Sequence, residues 1–258
     1  SKYVRGKWFT ILYLRLKHHL KKNSRSGSKK NISFHYDLGN SFYEKWLDES
    51  MTYSSAMFKN PEDNLLKGQI NKYENLANIT GVKENDKILE IGCGWGGFSS
   101  FLAKKYSANV TAITISKKQY EKAKQKIYDD KLTDKVDVKL LDYRNINGKY
   151  DKIVSIEMFE AVGEKYWSKY FDVLKKNLKP DGSIGLQTIT IDNKFFQKYK
   201  KFPDFIQTYI FPGGMLPSVE EMNKVITSRG LHIKNKKMFG NDYAKTIRIW
   251  SESFENSW

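Results

Sequence analysis

Short apolar runs alternate with longer amphipathic segments between residues 85 and 190. The runs KILEIG, NVTAITI, VDVKLL, KIVSIEMF and SIGLQTITI have the length and β-branched content of buried strands. Between them lie segments with helical spacing, namely FSSFLAKKY, KKQYEKAKQKIYDD and the residues from Trp167 to Leu178. This alternation predicts a parallel sheet with crossover helices, which is a doubly wound α/β domain.

The flanking sequence predicts additional helices and strands. An amphipathic pattern from about Asn64 to Asn78 predicts a helix before the first strand. Ser218, followed three residues later by Glu221, has the spacing of a capping box and predicts a later helix. Two strand-like runs, LHIKNKKMF and KTIRIW, follow towards the end of the chain.

The net charge of +16 implies an anionic partner. Residues 1–30 hold ten Lys or Arg and no acid, with large apolar residues between the cations. This mixture suits the surface of an anionic bilayer, and a solvated basic arm is the alternative. RNA is a less suitable partner for this arm, because binding to phosphates would not involve its large apolar residues. The segment SRSGSKK has linker composition and separates this arm from a main domain over residues 31–258.

Cysteine content and hydropathy restrict the class of protein. The lone Cys93 forms no internal disulfide and provides no cysteine-based zinc site, which favours a reducing compartment. We expect no metal site. No apolar run approaches the roughly 20 residues needed to span a bilayer, so a soluble or peripheral protein is expected. The chain opens at Ser1, which indicates a trimmed or partial product.

The glycine-rich stretch EIGCGWGG joins the first predicted strand to the first helix, at the sheet edge where ligands bind. Gly92, Gly94 and Gly97 fit the dinucleotide spacing, but the acid expected about 20 residues further on is missing. A phosphate-binding Gly-Lys-Ser/Thr sequence is missing as well. A nucleotide-like ligand without pyrophosphate remains, and Glu90 favours a cation. S-adenosylmethionine meets both conditions, and tight packing of the turn is the alternative.

Several motifs occur in the order found in one protein family. They are HYDLGNSFY, TYSSAMF, LEIGCGWGG, TISKKQ, DYR, IVSIEMFEAVG, YIFPGGMLPS and DYAKT. From about Asn31 to its end, the chain resembles the cyclopropane-fatty-acid synthases, including the mycolic acid cyclopropane synthases. The resemblance implies a class I methyltransferase fold dependent on S-adenosylmethionine. Such a fold is Rossmann-like, with a mostly parallel seven-stranded sheet flanked by helices and an N-terminal helical cover.

The resemblance also implies a division of the chain and a reaction. Residues 31–80 would cover the cofactor site, 85–190 form the cofactor-binding core, 191–230 an acyl-channel insertion and 231–258 the final strands. A C-terminal stretch beyond Trp258 would be absent. The implied reaction transfers a methyl group to the double bond of an unsaturated phospholipid acyl chain and forms a cyclopropane through a carbocation.

The cofactor contacts implied by the resemblance are spread over the glycine turn and three other segments. They are Tyr53, Ser54, Glu90, Gly92, Cys93, Gly94, Trp95, Gly96, Thr114, Gln119, Asp142 and Tyr143. Two of these positions retain an alternative. Ser116 and Gln119 also have the spacing of a capping box, and Asp142 also suits a loop residue that caps the next turn.

The resemblance further implies a bound bicarbonate as the base that removes a proton from the carbocation. Glu160, Tyr243 and the backbone of Ile189 match its binding site, whereas Ser55 replaces a cysteine and Gln187 a histidine. Serine and glutamine can hold an anion by hydrogen bonds, but neither supplies the proton chemistry of histidine. A cyclopropane is the first expectation for the product. A methyl-branched or unsaturated chain is the alternative, with a partner oxidoreductase where the intermediate is reduced.

The expected partners are unsaturated phospholipid chains and an anionic membrane surface, with the protein cytoplasmic and peripheral on the inner face of the membrane. We expect no nucleic-acid partner, although the charge also suits a methyltransferase of RNA or another polyanion, and a homodimer is compatible with the sequence. The segment IDNKFFQKYKKF suits an apolar channel mouth beneath anionic headgroups or a surface helix packed on the core. We expect a structural role for His35 and core positions for Trp46, Trp167 and Trp250.

Overall fold

The computed structural model describes residues 23–24, 27–28, 31–32 and 38–257. The predicted basic arm over residues 1–30 lies mostly outside these residues and His35 lies wholly outside them, so both predictions stay predictions. Two compact units make up the chain. The sheet unit comprises residues 36–157, 173–187 and 233–258, and the helical unit comprises residues 1–35, 158–172 and 188–232.

A parallel sheet forms the core of the sheet unit. Its strands are β1 (Lys87–Ile91), β2 (Asn109–Thr114), β3 (Val136–Leu140), β4 (Tyr150–Ile156) and β5 (Leu178–Gln187). The order across the sheet is β3-β2-β1-β4-β5, and every neighbouring pair is parallel. The direction of winding reverses between β1 and β4. In open sheets of this kind, ligands bind beyond the carboxyl ends of the strands at that point.

The helices alternate with the strands as the sequence predicts. Within the described residues they are α1 (Asn40–Glu44), α2 (Leu65–Thr80), α3 (Gly97–Tyr106), α4 (Lys117–Asp129), α5 (Trp167–Asn177), α6 (Asn193–Lys201), α7 (Val219–Ser228) and α8 (Gly240–Glu255). The side chain of Asn64 caps the start of α2 by accepting from Lys67 N, and the left-handed Gly81 ends it. Apolar side chains such as Ile88, Leu102 and Val110 fill the core around the sheet.

Aromatic packing and short helical turns build the helical unit. The ring centroid of Phe159 lies 5.4 Å from that of Trp167 and 5.3 Å from that of Tyr170. Ser218 caps α7 by accepting a hydrogen bond from Glu221 N, which confirms the helix start predicted there. Where this unit is described, its irregular helical segments are the 3₁₀ turns Phe159–Ala161 and Glu164–Tyr166 and the π-helix Ile206–Ile210.

The prediction of two final strands is wrong. Within the described residues the sheet has five strands, residues 231–239 form none, and KTIRIW lies inside α8. The run is β-branched, yet Thr246 and Trp250 recur at a spacing of four and are the buried residues of the helix. That helical spacing decides the structure, because a six-residue run of mixed apolar and charged residues is compatible with either a strand or a helix.

The predicted core tryptophans are buried, with exposed fractions of 8% for Trp46, 2% for Trp167 and 9% for Trp250. In the described part of the chain, no helix combines the length and the apolar character that crossing a bilayer requires.

Candidate active site

The glycine turn follows β1 and leads into α3. Gly94 has a left-handed φ of 54°, and a Cβ built there would have no described protein atom within 4 Å. Glycine is favoured at such a backbone angle, and the open side allows a ligand to approach the main chain closely. Gly92 and Gly96 also have positive φ values, and the side chain of Cys93 is buried between them.

Gly97 is required for a different reason. A Cβ at Gly97 would lie 2.7 Å from Tyr73 Oη and 3.1 Å from Ser50 O. A side chain there would force the start of α3 away from these groups. Tight packing therefore explains Gly97, whereas the geometry of Gly94 suits close approach of a ligand.

Glu90 lies in β1 just before the turn and is buried, with an exposed fraction of 3%. Ser99 Oγ donates a hydrogen bond to its Oε2 atom. Burial raises the pKa of Glu90 to about 7 because a charged carboxylate is poorly solvated there, although Ser99 and Lys72 oppose this effect. Two residues beyond Cys93, Trp95 is buried and its Nε1 donates to Asn40 Oδ1 at 2.8 Å.

Thr114 and Gln119 come together at the carboxyl end of β2. Thr114 Oγ1 donates to Gln119 Oε1 at 2.8 Å, and both residues are buried. Ser116 caps α4 by accepting from Gln119 N at 3.3 Å. The cap is therefore made by the Gln119 backbone, and its side chain bonds to Thr114 instead. The predicted conflict between capping and a ribose contact does not arise, and the ribose contact stays a prediction.

Asp142 follows β3 and caps the 3₁₀ turn Tyr143–Asn145. Its Oδ1 accepts from Arg144 N at 2.9 Å and from Arg144 Nε at 2.8 Å. These contacts show that Asp142 caps this turn, which was the alternative to a cofactor contact. The predicted adenine contacts of Asp142 and Tyr143 stay predictions.

Tyr53 and Ser54 precede α2 in the chain and contact two different sets of side chains. The ring of Tyr53 lies 5.3 Å from that of Trp46 and 5.4 Å from that of Trp250. Ser54 is buried, and its Oγ accepts from Lys72 Nζ at 2.6 Å. Lys72 is itself buried, which lowers the pKa of its ammonium group to about 7 against the opposing attraction of Glu157. Lys72 was not predicted as a site residue.

Ser55 and Gln187 converge on Glu157, a residue that the sequence analysis did not single out. Ser55 N donates to Glu157 Oε1 at 2.9 Å, and Gln187 Nε2 donates to the same oxygen at 2.8 Å. Gln187 Nε2 also reaches Ser55 O at 3.2 Å, and Ser55 Oγ donates to Ala56 O at 3.0 Å. The hydroxyl of Ser55 is therefore bonded to the backbone carbonyl of the next residue, and the backbone N–H of Ser55 contacts the carboxylate.

Glu157 follows β4 directly, and its backbone has a conformation that is rare for residues other than glycine. Its φ of 47° lies in the left-handed region, which is unfavourable for a residue with a side chain. Burial raises the pKa of Glu157, against the opposing effects of Lys72 and of the hydrogen bonds from Gln187 and Ser55. Glu90 was singled out as an acidic residue at the carboxyl end of a predicted strand, and IVSIE places Glu157 at the end of another such strand.

Glu160 and Ile189 come together in the helical unit. Glu160 Oε1 accepts from Thr188 Oγ1 at 2.9 Å and from the backbone N–H of Ile189. The resemblance assigned both groups to bicarbonate; here they bond to each other, and their contacts with bicarbonate stay predictions. Tyr243, by contrast, lies in α8 of the sheet unit and is partly buried. The predicted bicarbonate positions are divided between the units, with Ser55, Gln187 and Tyr243 in the sheet unit.

Comparison with known proteins identifies the family. The model of the mycolic acid cyclopropane synthetase family matches residues 23–258. The chain belongs to this family. It is 37% identical over 230 residues to a probable fatty acid methyltransferase of Pseudomonas putida, covering 87% of this chain and 58% of that protein. It is 36% identical over 224 residues to the cyclopropane-fatty-acyl-phospholipid synthase of Escherichia coli (strain K12), covering 87% and 56%.

Solved structures of the cyclopropane synthetase family share the fold. The crystal structure of mycolic acid cyclopropane synthase CmaA1 complexed with SAH and CTAB matches with a TM-score of 0.82 at 30% identity. The match covers 87% of this chain and 82% of that one. The predicted Rossmann-like methyltransferase fold is therefore confirmed, with five strands described. The chain spans a little over half the length of the two curated relatives named above.

The residues of this family member fit S-adenosylmethionine. A Cβ at Gly94 would enter open space beside the turn, and Glu90 lies in the last two residues of the strand that leads into it. Thr114 and Gln119 are held together by their 2.8 Å hydrogen bond. The family membership and the SAH-bound neighbour confirm the predicted cofactor class.

Bicarbonate does not fit the donors that the family resemblance assigned to it at Ser55 and Gln187. Gln187 Nε2 and the backbone N–H of Ser55 are bonded to Glu157 Oε1, and the Ser55 hydroxyl donates to Ala56 O. An additional anion would share these donors with an existing carboxylate, and like charges at one buried site oppose each other. In the described part of the chain, no group of three or more His, Cys, Asp or Glu residues could hold a metal ion.

Proposed function

We propose that the protein transfers a methyl group from S-adenosylmethionine to the double bond of an unsaturated phospholipid acyl chain and forms a cyclopropane. The observation that carries this proposal is the family match over residues 23–258. The Escherichia coli relative is named for this product. The open glycine turn at the switch point of the sheet supports the cofactor part of the proposal.

Bound S-adenosylmethionine supplies an electrophilic methyl group, and the alkene is a weak nucleophile that becomes a carbocation when it accepts that group. Gly94 would allow the cofactor to approach the main chain closely, and Glu90 would offer a carboxyl group to its cationic end. Tyr43, Trp46 and Trp250 belong to one buried aromatic cluster of the sheet unit. Aromatic faces stabilise positive charge electrostatically, and a dry site protects a cation from water. These features suit a reaction in which water would capture the cation.

A methyl-branched or unsaturated product is the second candidate. Ser55 and Gln187 replace the cysteine and histidine that the resemblance leads us to expect, and both contact Glu157. The Pseudomonas putida relative is named as a fatty acid methyltransferase, without reference to a ring. Loss of a proton from another carbon would give an alkene, and a partner oxidoreductase would be needed for a saturated branch.

The acyl substrate requires access to a membrane, and α6 with the segment after it has a suitable surface. Phe196 is buried, whereas Phe195, Phe202 and Phe205 are exposed by 50%, 46% and 66%. The surrounding cations are Lys194, Lys198, Lys200 and Lys201. Burial of one aromatic side chain agrees with a surface helix packed on the core, and the outward-facing rings support the proposal of a channel mouth. We extend the proposal to peripheral binding at the anionic inner face of the membrane.

The test combines labelled S-adenosylmethionine with anionic vesicles that carry unsaturated chains and, in a separate reaction, with bulk RNA. Label in the lipid extract is the expected result. Label in RNA, or binding without turnover, would overturn the proposal. Mass spectrometry before and after hydrogenation then identifies the product, because a double bond takes up hydrogen under conditions that leave a cyclopropane intact.

A further inference from the structure

Glu157 is the acidic residue at the carboxyl edge of the sheet to which the family resemblance gave no role. We propose that the Glu157 carboxylate is the base of this reaction and occupies the place expected for bicarbonate. This inference rests on the proposed function. It assigns the deprotonation step to a side chain of the protein instead of a bound anion.

The hydrogen bonds of Glu157 identify the site. Its Oε1 accepts from Ser55 N and from Gln187 Nε2, at 2.9 and 2.8 Å. These residues are the two that depart from the expected bicarbonate site. The amide N–H₂ group of glutamine is a hydrogen-bond donor at any ordinary pH. Glutamine can therefore bind a carboxylate without exchanging a proton with it. Both bonds end on Oε1, so Oε2 takes part in neither of them.

The charges around this position favour a single negative group there. Glu157 alone provides one negative charge, whereas Glu157 together with bicarbonate would provide two. Lys72 is buried in the same unit and interacts favourably with Glu157. A second negative charge would add repulsion in a poorly solvated region. The same burial favours the protonated form of Glu157, which makes its carboxylate a stronger base than an exposed one.

The backbone at Glu157 also indicates a functional role. Its left-handed φ of 47° is unfavourable for a residue with a side chain. Glycine would adopt this angle without that cost. The strained conformation is held in place by Glu157 N, which donates to Gln187 O at 2.8 Å. The turn itself would form more easily with glycine, so we attribute the strained residue to the positioning of its carboxylate.

The chemical step balances within the substrate and Glu157. After methyl transfer, one former alkene carbon carries the new methyl group and its neighbour carries positive charge. A C–H bond of that methyl group breaks, and its electron pair forms the ring bond to the cationic carbon. The proton passes to the Glu157 carboxylate and is released to solvent before the next turnover. No oxidant or reductant is needed.

The first experiment measures labelled methyl transfer to vesicles in buffer freed of carbon dioxide. Wild-type activity should stay within about twofold when millimolar bicarbonate is added. Glu157→Gln preserves the size of the side chain and an oxygen acceptor, and should lower kcat by ~100-fold or more, because base catalysis contributes this much. Its affinity for S-adenosylhomocysteine and its unfolding midpoint should be close to wild type. Full activity of Glu157→Gln, or a wild-type requirement for bicarbonate, overturns the inference.

The second experiment uses Glu157→Gly, which tolerates the backbone angle and exposes the donors of Ser55 and Gln187. Added bicarbonate should restore at least part of its activity. NMR line broadening of isotope-labelled bicarbonate provides a readout that does not depend on turnover. Broadening is expected with Glu157→Gly and not with wild type. This pattern without any lipid methylation would overturn the proposed function alone, whereas bicarbonate binding by wild type would overturn the assignment of Glu157.

Discussion

The side-chain amide of Gln187 joins two segments by donating to Glu157 Oε1 at 2.8 Å and to Ser55 O at 3.2 Å. Gln187→Leu keeps a similar volume but removes both hydrogen bonds from a buried position. We expect a loss of about 1–3 kcal/mol in the free energy of unfolding, because Ser55 O loses its donor. Denaturant unfolding provides the measurement. Gln125→Leu, on the exposed face of α4, is the matched control and should change this free energy little.

Gly94→Val should abolish binding of S-adenosylhomocysteine in calorimetric titrations. The left-handed backbone disfavours a branched side chain, and its atoms would enter the open space beside the turn. Gly81→Val is the control, since Gly81 is also left-handed, with a φ of 68°, but ends α2. Both variants should lose stability through strain. Equal loss of cofactor affinity in the two variants would show that strain alone is responsible.

Glu160→Gln should abolish turnover while leaving cofactor affinity within several fold. The glutamine oxygen can still accept from Thr188 and from the Ile189 backbone, so local structure should persist, but the negative charge is lost. The paired measurements are kcat with unsaturated vesicles and calorimetric affinity for S-adenosylhomocysteine. Unchanged turnover would contradict a catalytic role for Glu160.

Glu90 should make stability depend on pH. Burial raises its pKa from 4.5 to about 7 in the folded state, so the folded protein binds a proton more tightly than the unfolded chain. The resulting stabilisation is fully present below about pH 4.5 and is lost as the pH rises to about 7, on the order of 3 kcal/mol in all. Subtracting the unfolding free energies of Glu90→Gln from those of wild type should reveal this slope. Glu121→Gln, on the exposed surface of α4, controls for the removal of one glutamate charge elsewhere in the protein.

Phe205→Ser should weaken flotation with anionic vesicles, because Phe205 is 66% exposed in the lysine-rich helical unit and would lose its contact with the membrane interface. Flotation across increasing salt separates the apolar contribution from the electrostatic one. Tyr128→Ser removes an aromatic ring that is 70% exposed on α4 and serves as the control. Equal weakening by the two substitutions would argue against a specific surface around Phe205.

Much of the fold follows from local patterns. The strands and helices from Lys87 to Gln187 have the predicted order, because each combines a suitable apolar period with recognisable ends. The run KTIRIW was misassigned because β-branched content and helical spacing compete over so few residues. Burial of Thr246 and Trp250 on one side of α8 resolved that competition, and burial is a property of the folded chain.

The sequence by itself determined the parallel α/β architecture, the glycine turn and the family, because these depend on period, spacing and residue type. Only the tertiary structure decided what the site residues contact. It directed the Ser55 hydroxyl to Ala56, paired Gln119 with Thr114, and brought Ser55 and Gln187, which are far apart in the chain, onto Glu157. Local sequence patterns do not predict these contacts, because the contacts form where the ends of separate strands come together at one edge of the sheet.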